Sequence, residues 1–444
     1  MRAFAVVVIC SLSAAMVVGA AAPRAAKSPR LRVAASADAY VNRTRKNKNF
    51  GRSRSLVVAR SGVRAFVRFE LRSLDAQIVR AKLRVYVRRA RGSGFAVRTA
   101  SPPMWSERGV TYASRPVTGR KIASARRLRR GWLTLDVSRA VRGNYLPSLA
   151  LTLARGRVSL GSRESGRTGP RLLLTLRGAS PQTLVAAGDI ASCSSSGDEA
   201  TAAVVAGIPG TVAVLGDNAY EKGTLAEYNG CYGPSWGRFK ARTRPAAGNH
   251  EYETPSAAGY YAYFGAAAAP PRGYYSYNLG LWHVVVLNSN CGAVGGCNRG
   301  SAEQQWLQAD LAGHRRYCTL AYWHHPLFSS GATVGNATDM APLWQTLRKA
   351  GADLVLTGHD HNYERFAPQN ERGVLDPARG LREFVVGTGG RSHFPFGVPK
   401  PHSEVRNADT YGVLQLTLHA ARYDWRFVPV AGRTFTDSGT TLCH

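Results

Sequence analysis

Between residues 184 and 361, five short apolar runs each end in residues able to bind a metal ion. VAAGDI delivers Asp189, VAVLGDNAY delivers Asp217 and Tyr220, and RPAAGNHEY delivers Asn249 and His250. LAYWHHP delivers His324 and His325, and LVLTGHDH delivers His359 and His361. Runs of this length, interleaved with helical patterns such as DEATAAVVAGI, SAEQQWLQADLAGHR and MAPLWQTLRKAG, predict strands buried on both faces in a layered α/β domain. Ser301 followed by Gln304 predicts one helix start, and Gly351 one helix stop. Ligands in such domains collect at the carboxyl ends of the strands.

Taken singly, each element is weak. An Asp after Gly is usually a turn, a lone His at a strand end is usually a satisfied hydrogen-bonding residue, and Tyr220 alone is a packed aromatic. Together they read as a metal site. Four of the five runs carry glycine just before the donor, which lets the chain turn so that the donor projects into a crevice. Carboxylate, amide, phenolate and imidazole donors suit one hard trivalent and one divalent transition ion. His359 and His361, two apart, both point into the crevice, and Asp360 points away.

The region before the boundary at residues 177–183 is different in kind. RAFVRFEL, AKLRVYVRRA, WLTLDV, LALTLA and PRLLLTL alternate apolar and polar residues, the pattern of an all-β sandwich with an arginine-coated exterior. VSRAVRG is the one candidate turn of helix. Residues 28–178 hold 35 Lys and Arg against 6 Asp and Glu, a net +29, whereas residues 179–444 hold 21 of each and sum to zero. Two units with separate tasks follow from that contrast. A charge of +29 exceeds the magnitude of about 2–8 that solubility requires of a small domain. It points to an anionic cell-surface or extracellular polymer as partner, although the arginines could also simply solvate an exterior. No interleaved aromatics suggest base stacking, which argues against sequence-specific nucleic acid.

The order GD…GDxxY…GNHE…HHP…GHxH over residues 183 to about 430 resembles the calcineurin-like metallophosphoesterases, and the Tyr of GDNAY resembles the purple acid phosphatase branch. The resemblance implies that Asp189, Asp217, Tyr220 and His361 hold Fe(III). Asp217 would bridge to a divalent ion (Fe, Zn or Mn) held by Asn249, His324 and His359. Asn249, His250 and His325 would contact the substrate, with His250 protonating the leaving oxygen. His-x-Pro spacing favours His324 as the ligand of its motif, with His325 as the alternative. Ala191 stands where the family has glycine, in GDIA. ADAYVNRTRKNKNFG, AFVRFEL, WSERGVTY, WLTLDVSRAV and SLGSRESGRTGPRLLLTL resemble DNRLRE-type β-sandwich domains, relatives of carbohydrate-binding modules, over residues 36–176.

The expected organisation is a signal peptide (1–22), the sandwich (36–176), a linker (177–183), the phosphoesterase domain (184–430) and a C-terminal extension (431–444). MRAFAVVVICSLSAAMVVGAAAPRAA has the basic start, apolar run and small residues of an export signal, with a membrane anchor as the competing reading. No later stretch is long and apolar enough to span a bilayer. Cleavage leaves six cysteines, an even number that favours disulfides in a secreted or cell-wall-associated protein. Cys291 and Cys297, flanking GAVGG, form the one predicted pair. The implied activity is hydrolysis of phosphate monoesters by attack of a metal-bound hydroxide. A phosphodiesterase on the same site and a non-catalytic surface-binding protein are the alternatives.

Overall fold

The computed structural model describes residues 30–71, 77–142, 146–177, 180–314 and 318–443. The segment read as a signal peptide lies outside them.

In the first module the period-two pattern becomes strands. Along Gln77–Ser101, Leu83, Val85 and Val87 are buried while Arg84 and Tyr86 stay partly exposed. This 25-residue strand pairs in turn with Arg171–Arg177, Gly131–Asp136, Ser148–Gly161 and Val117–Arg127. Val67, near one end of the sheet path, shares a core with Leu172 and Leu174 near the other, so the sheet folds back on itself as two layers. Ser138–Val141 is the module's α-helix among the described residues.

The second module stacks two mixed sheets. One has the order Thr243–Ala246, Thr211–Leu215, Gln182–Ala187, Gly412–Leu418, Arg422–Pro429, Ser438–Leu442. The other runs Tyr275–Leu279, Trp282–Val286, Cys318–Tyr322, Leu354–Thr357, Arg382–Val386, Tyr363–Phe366, Ser403–Asn407. Strands of the second sheet are apolar on both faces for a visible reason. Val284, Val286, Leu354 and Leu356 join the core between the sheets, while Val285, Leu287 and Val355 pack beneath helices Ala302–Gly313 and Ala341–Ala350. Helix Gly197–Ala206 packs on the first sheet through Ala202 and Val205. The architecture is therefore a β-rich module followed by a layered α/β domain. Ser301 caps its helix by accepting from the Gln304 N–H at 3.3 Å, and Gly351 ends the other at φ 79°. The Gln304 side chain reaches back to the Gly300 N–H, one residue short of a reciprocal capping box.

The boundaries shift in three places. Strand Arg30–Ala34 pairs with Arg171–Arg177, so the first module begins before residue 36. Strands occupy both ends of the expected linker, leaving only residues 178–181 between Arg177 and Gln182. The segment set apart as a C-terminal extension supplies the edge strand Ser438–Leu442 and Cys443, which is disulfide-bonded to Cys318. Cys193 pairs with Cys231, and Cys291 pairs with Cys297. Leu281 and Ala420 of the second module pack into the first module's core. No helix among the described residues is long and apolar enough to cross a membrane.

Candidate metal centre

Three parallel strands of each sheet end along one common edge. Gln182–Ala187 runs parallel to Thr211–Leu215, which runs parallel to Thr243–Ala246. Cys318–Tyr322, Leu354–Thr357 and Arg382–Val386 do the same in the second sheet. Backbone hydrogen bonds from Gly188 to Val386 (2.9 Å) and from Gly358 to His324 (2.9 Å) join the strand ends there. All nine residues singled out in the sequence lie at this seam.

Two overlapping sets of donor atoms form. In the first, Tyr220 Oη lies 3.1 Å from Asp189 Oδ1, 3.0 Å from Asp217 Oδ2 and 3.2 Å from His361 Nε2. His361 Nε2 is 3.3 Å from Asp189 Oδ1. In the second, His324 Nε2 lies 3.2 Å from Asp217 Oδ2, 3.1 Å from Asn249 Oδ1 and 3.1 Å from His359 Nδ1. Asp217 Oδ2 belongs to both. His324, rather than His325, stands between Asp217 and Asn249. His325 lies beside His359, their rings 4.3 Å apart. Asp360 is buried with its carboxylate accepting from the Ser329 hydroxyl, away from the seam.

These sets fit cations. Neighbouring donors about 3 Å apart are what results when each sits about 2.1 Å from a shared ion. The tautomers agree: His324 Nδ1 faces the Leu215 carbonyl at 2.9 Å, so it donates and Nε2 keeps its lone pair for the seam. Electrostatics agree as well. Burial disfavours charge on His324, yet the Asp217 and Asp189 carboxylates push it up to about 9. Burial and that neighbouring charge push His359 down to about 2 and His325 down to about 3. Burial and the same two carboxylates raise the Tyr220 phenol far above its ordinary value. Two buried carboxylates require positive charge beside them, and only a strong cation would ionise this phenol.

The backbone is bent to make the site. Asp189, Asp217 and His359 have φ of 60°, 48° and 69°, a left-handed conformation costly for residues with a Cβ. Gly216 turns the chain at φ 89°, whereas Gly248 and Gly358 serve as space. A Cβ on Gly248 would stand 2.1 Å from Asp217 Oδ1, and one on Gly358 would stand 2.6 Å from Asp189 Oδ2. Ala191 fits without difficulty, buried in a parallel pairing with Ala219.

Several contributors escaped the sequence reading. Glu251, inside the GNHE motif, accepts backbone N–H groups of Asp217 (2.9 Å), Asn218 (2.9 Å) and Gly248 (2.6 Å), tying two strand ends together. A sixth strand end, GTGGRSHF after Arg382–Val386, places Ser392 Oγ 2.7 Å from His361 Nδ1 and stacks Phe394 on the same ring at 3.9 Å. Its run of glycines after an apolar strand was the available signal. Ser289 Oγ lies 2.7 Å from His325 Nδ1.

Residues 176–363 match the family model for calcineurin-like phosphoesterases, and residues 29–176 match carbohydrate-binding module family 96. Over residues 176–363 the second module is similar to calcineurin-like phosphoesterase domains. Purple acid phosphatase 15 of Arabidopsis thaliana is 29% identical to this chain over 219 residues, 41% of this chain and 40% of the relative. An uncharacterized protein of Mycobacterium tuberculosis is 30% identical over 188 residues, 33% of this chain and 35% of the relative. Human acid phosphatase type 7 is 27% identical over 199 residues, 38% of this chain and 45% of the relative. The chain thus spans less than half the length of these curated relatives. Among solved structures, yellow lupin purple acid phosphatase PPD1 matches with a TM-score of 0.48 and 17% identity, covering 87% of this chain and 73% of that one. The family implies a dinuclear metal centre, and this domain's two donor sets are of the kind it would need.

Ser392 touches His361 and no other donor of the sets. Ser392→Ala is expected to weaken metal retention about 10- to 100-fold, the usual cost of removing such a supporting hydrogen bond. Metal analysis after dialysis checks this, with unfolding temperature as the control.

Proposed function

We propose that the second module hydrolyses phosphate monoesters with two metal ions. Fe(III) is assigned to Asp189, Asp217, Tyr220 and His361, and a divalent ion to Asp217, Asn249, His324 and His359. The observation carrying this reading is the sharing of Asp217 Oδ2 between two donor sets, one of which alone contains the phenol. Two ions so held supply charge neutralisation for a phosphoryl group and an acidified water.

The chain's own residues do the rest. Asp189, Asp217, Tyr220, His324 and His361 are buried, whereas Asn249, His250, His325 and His359 are partly exposed and form the open side. Substrate therefore approaches past Asn249, His250 and His325. His250 is anchored by Nδ1 against the Glu221 carbonyl at 2.5 Å, and its Nε2 lies 3.8 Å from Asp217 Oδ2. With Nδ1–H donated to a carbonyl, Nε2 is the ring atom left to pass a proton to a departing alkoxide. No protein nucleophile is needed. Cleavage of diesters on the same residues is the alternative, since loops such as 290–300 and 366–374 would set that preference.

The first module is proposed to hold the enzyme on an anionic extracellular or cell-wall polymer through its surplus arginine. The even set of paired cysteines and the family 96 match support an exported protein.

Phenolate on Fe(III) should give the oxidised protein a visible charge-transfer band that Tyr220→Phe abolishes. A full metal complement without any visible band would remove iron and leave a generic two-metal centre. His250→Ala should keep its metals and slow esters of poor leaving groups more than activated aryl esters. Equal losses on both would remove His250 as proton donor.

A further inference from the structure

Six acidic residues serve the strongly basic span 28–178, and three of them meet. Asp38, Glu107 and Glu164 bring one carboxylate oxygen each within 4.8 Å of the others. They come from three segments distant in sequence, ADAYVNRTR, WSERGVTY and SLGSRESGR, which are among the motifs that mark this module. With dozens of arginines and lysines available, chance would pair each acid with a cation. Only one is supplied. Arg163 Nη1 lies 2.7 Å from Glu107 Oε2, and its backbone N–H donates to Asp38 Oδ2 at 2.8 Å. The Asp38 N–H donates to Glu107 Oε1 at 2.8 Å.

Three buried oxygens in or beside this cluster have no hydrogen-bond partner among the described residues. Asp38 is 1% exposed, and its Oδ1 has no hydrogen-bond partner. Ser162, wholly buried beside Arg163 in the chain, has an unpartnered hydroxyl, and so does the buried Oε2 of Glu164. Three orphaned buried oxygens, two of them anionic, are destabilising if nothing meets them. Three carboxylates and one guanidinium leave a charge of about −2, which one divalent cation cancels.

We propose that Asp38, Glu107 and Glu164 form a binding site for a hard divalent cation, Ca²⁺ by its all-oxygen donors, which pins the strand Ala37–Asn42 to the loops carrying Glu107 and Glu164. The site lies in the first module and uses none of the residues at the seam of the second. Its role is structural: it rivets three segments of a module whose other charges repel.

The test is calorimetric titration of the full chain with CaCl2 after dialysis into calcium-free buffer. One ion per chain is expected, with a Kd on the order of 10⁻⁴–10⁻³ M, as in other extracellular modules. The unfolding temperature of the first module should rise with calcium. Glu164→Gln, at a half-buried loop position, should weaken binding at least about 10-fold, the loss of one charged ligand, and remove the thermal response. Glu107→Gln serves as a second variant if the first folds poorly. Absence of binding up to about 10 mM, ten times the weakest constant expected, overturns the proposal. So does undiminished binding in both folded variants, which would put the ion elsewhere.

Discussion

Where the two sheets of the second module meet, acceptor atoms converge with too few protons between them. Asp217 Oδ2 stands within 3.2 Å of both Tyr220 Oη and His324 Nε2, and His324 Nε2 and His359 Nδ1 face each other at 3.1 Å. Buried lone pairs at such separations repel unless positive charge lies among them. The rest of the domain is organised around that requirement. Three donor residues hold left-handed backbones, Glu251 clamps two strand ends by their N–H groups, and Leu215 fixes the tautomer of His324. The left-handed backbones cost stability individually, and the two stacked sheets over-determine them.

Much of this was legible because it is local. A donor directly after an apolar run and a glycine is a pattern within six or seven residues, so Asp189, Asp217, Asn249 and His359 could be read without a structure. The same holds for the alternating strands of the first module, where burial of Leu83, Val85 and Val87 follows a period of two. The purpose of the glycines was only partly legible. Glycine was expected to make the turn, and Gly216 does so at φ 89°, but elsewhere the positive φ falls on Asp189 and His359 themselves, and Gly248 and Gly358 leave room for carboxylates from other strands. Such space is a property of strand neighbours, which sequence order does not supply.

Long-range partners were invisible for the same reason. Ser392 meets His361 across 31 residues, and Ser289 meets His325 across 36 residues. Cys291 and Cys297 close a loop short enough to predict, whereas Cys318 and Cys443 lie 125 residues apart and meet only because the last strand completes the first sheet's edge. The module boundary was misjudged by a few residues because the first strand, Arg30–Ala34, finds its partner at the far end of its module. Composition located the two units correctly, and pairing set their limits.

Asp217 is proposed to be shared by two ions on which hydrolysis depends. Metal analysis of the purified full chain alongside Asp217→Asn, with phosphate monoester turnover measured on the same samples, tests it directly. Two ions per chain are expected in the parent protein. The variant should hold fewer than two and lose turnover by at least about 100-fold, given that a shared ligand supports both ions. Retention of both ions and of turnover by the variant would contradict the account.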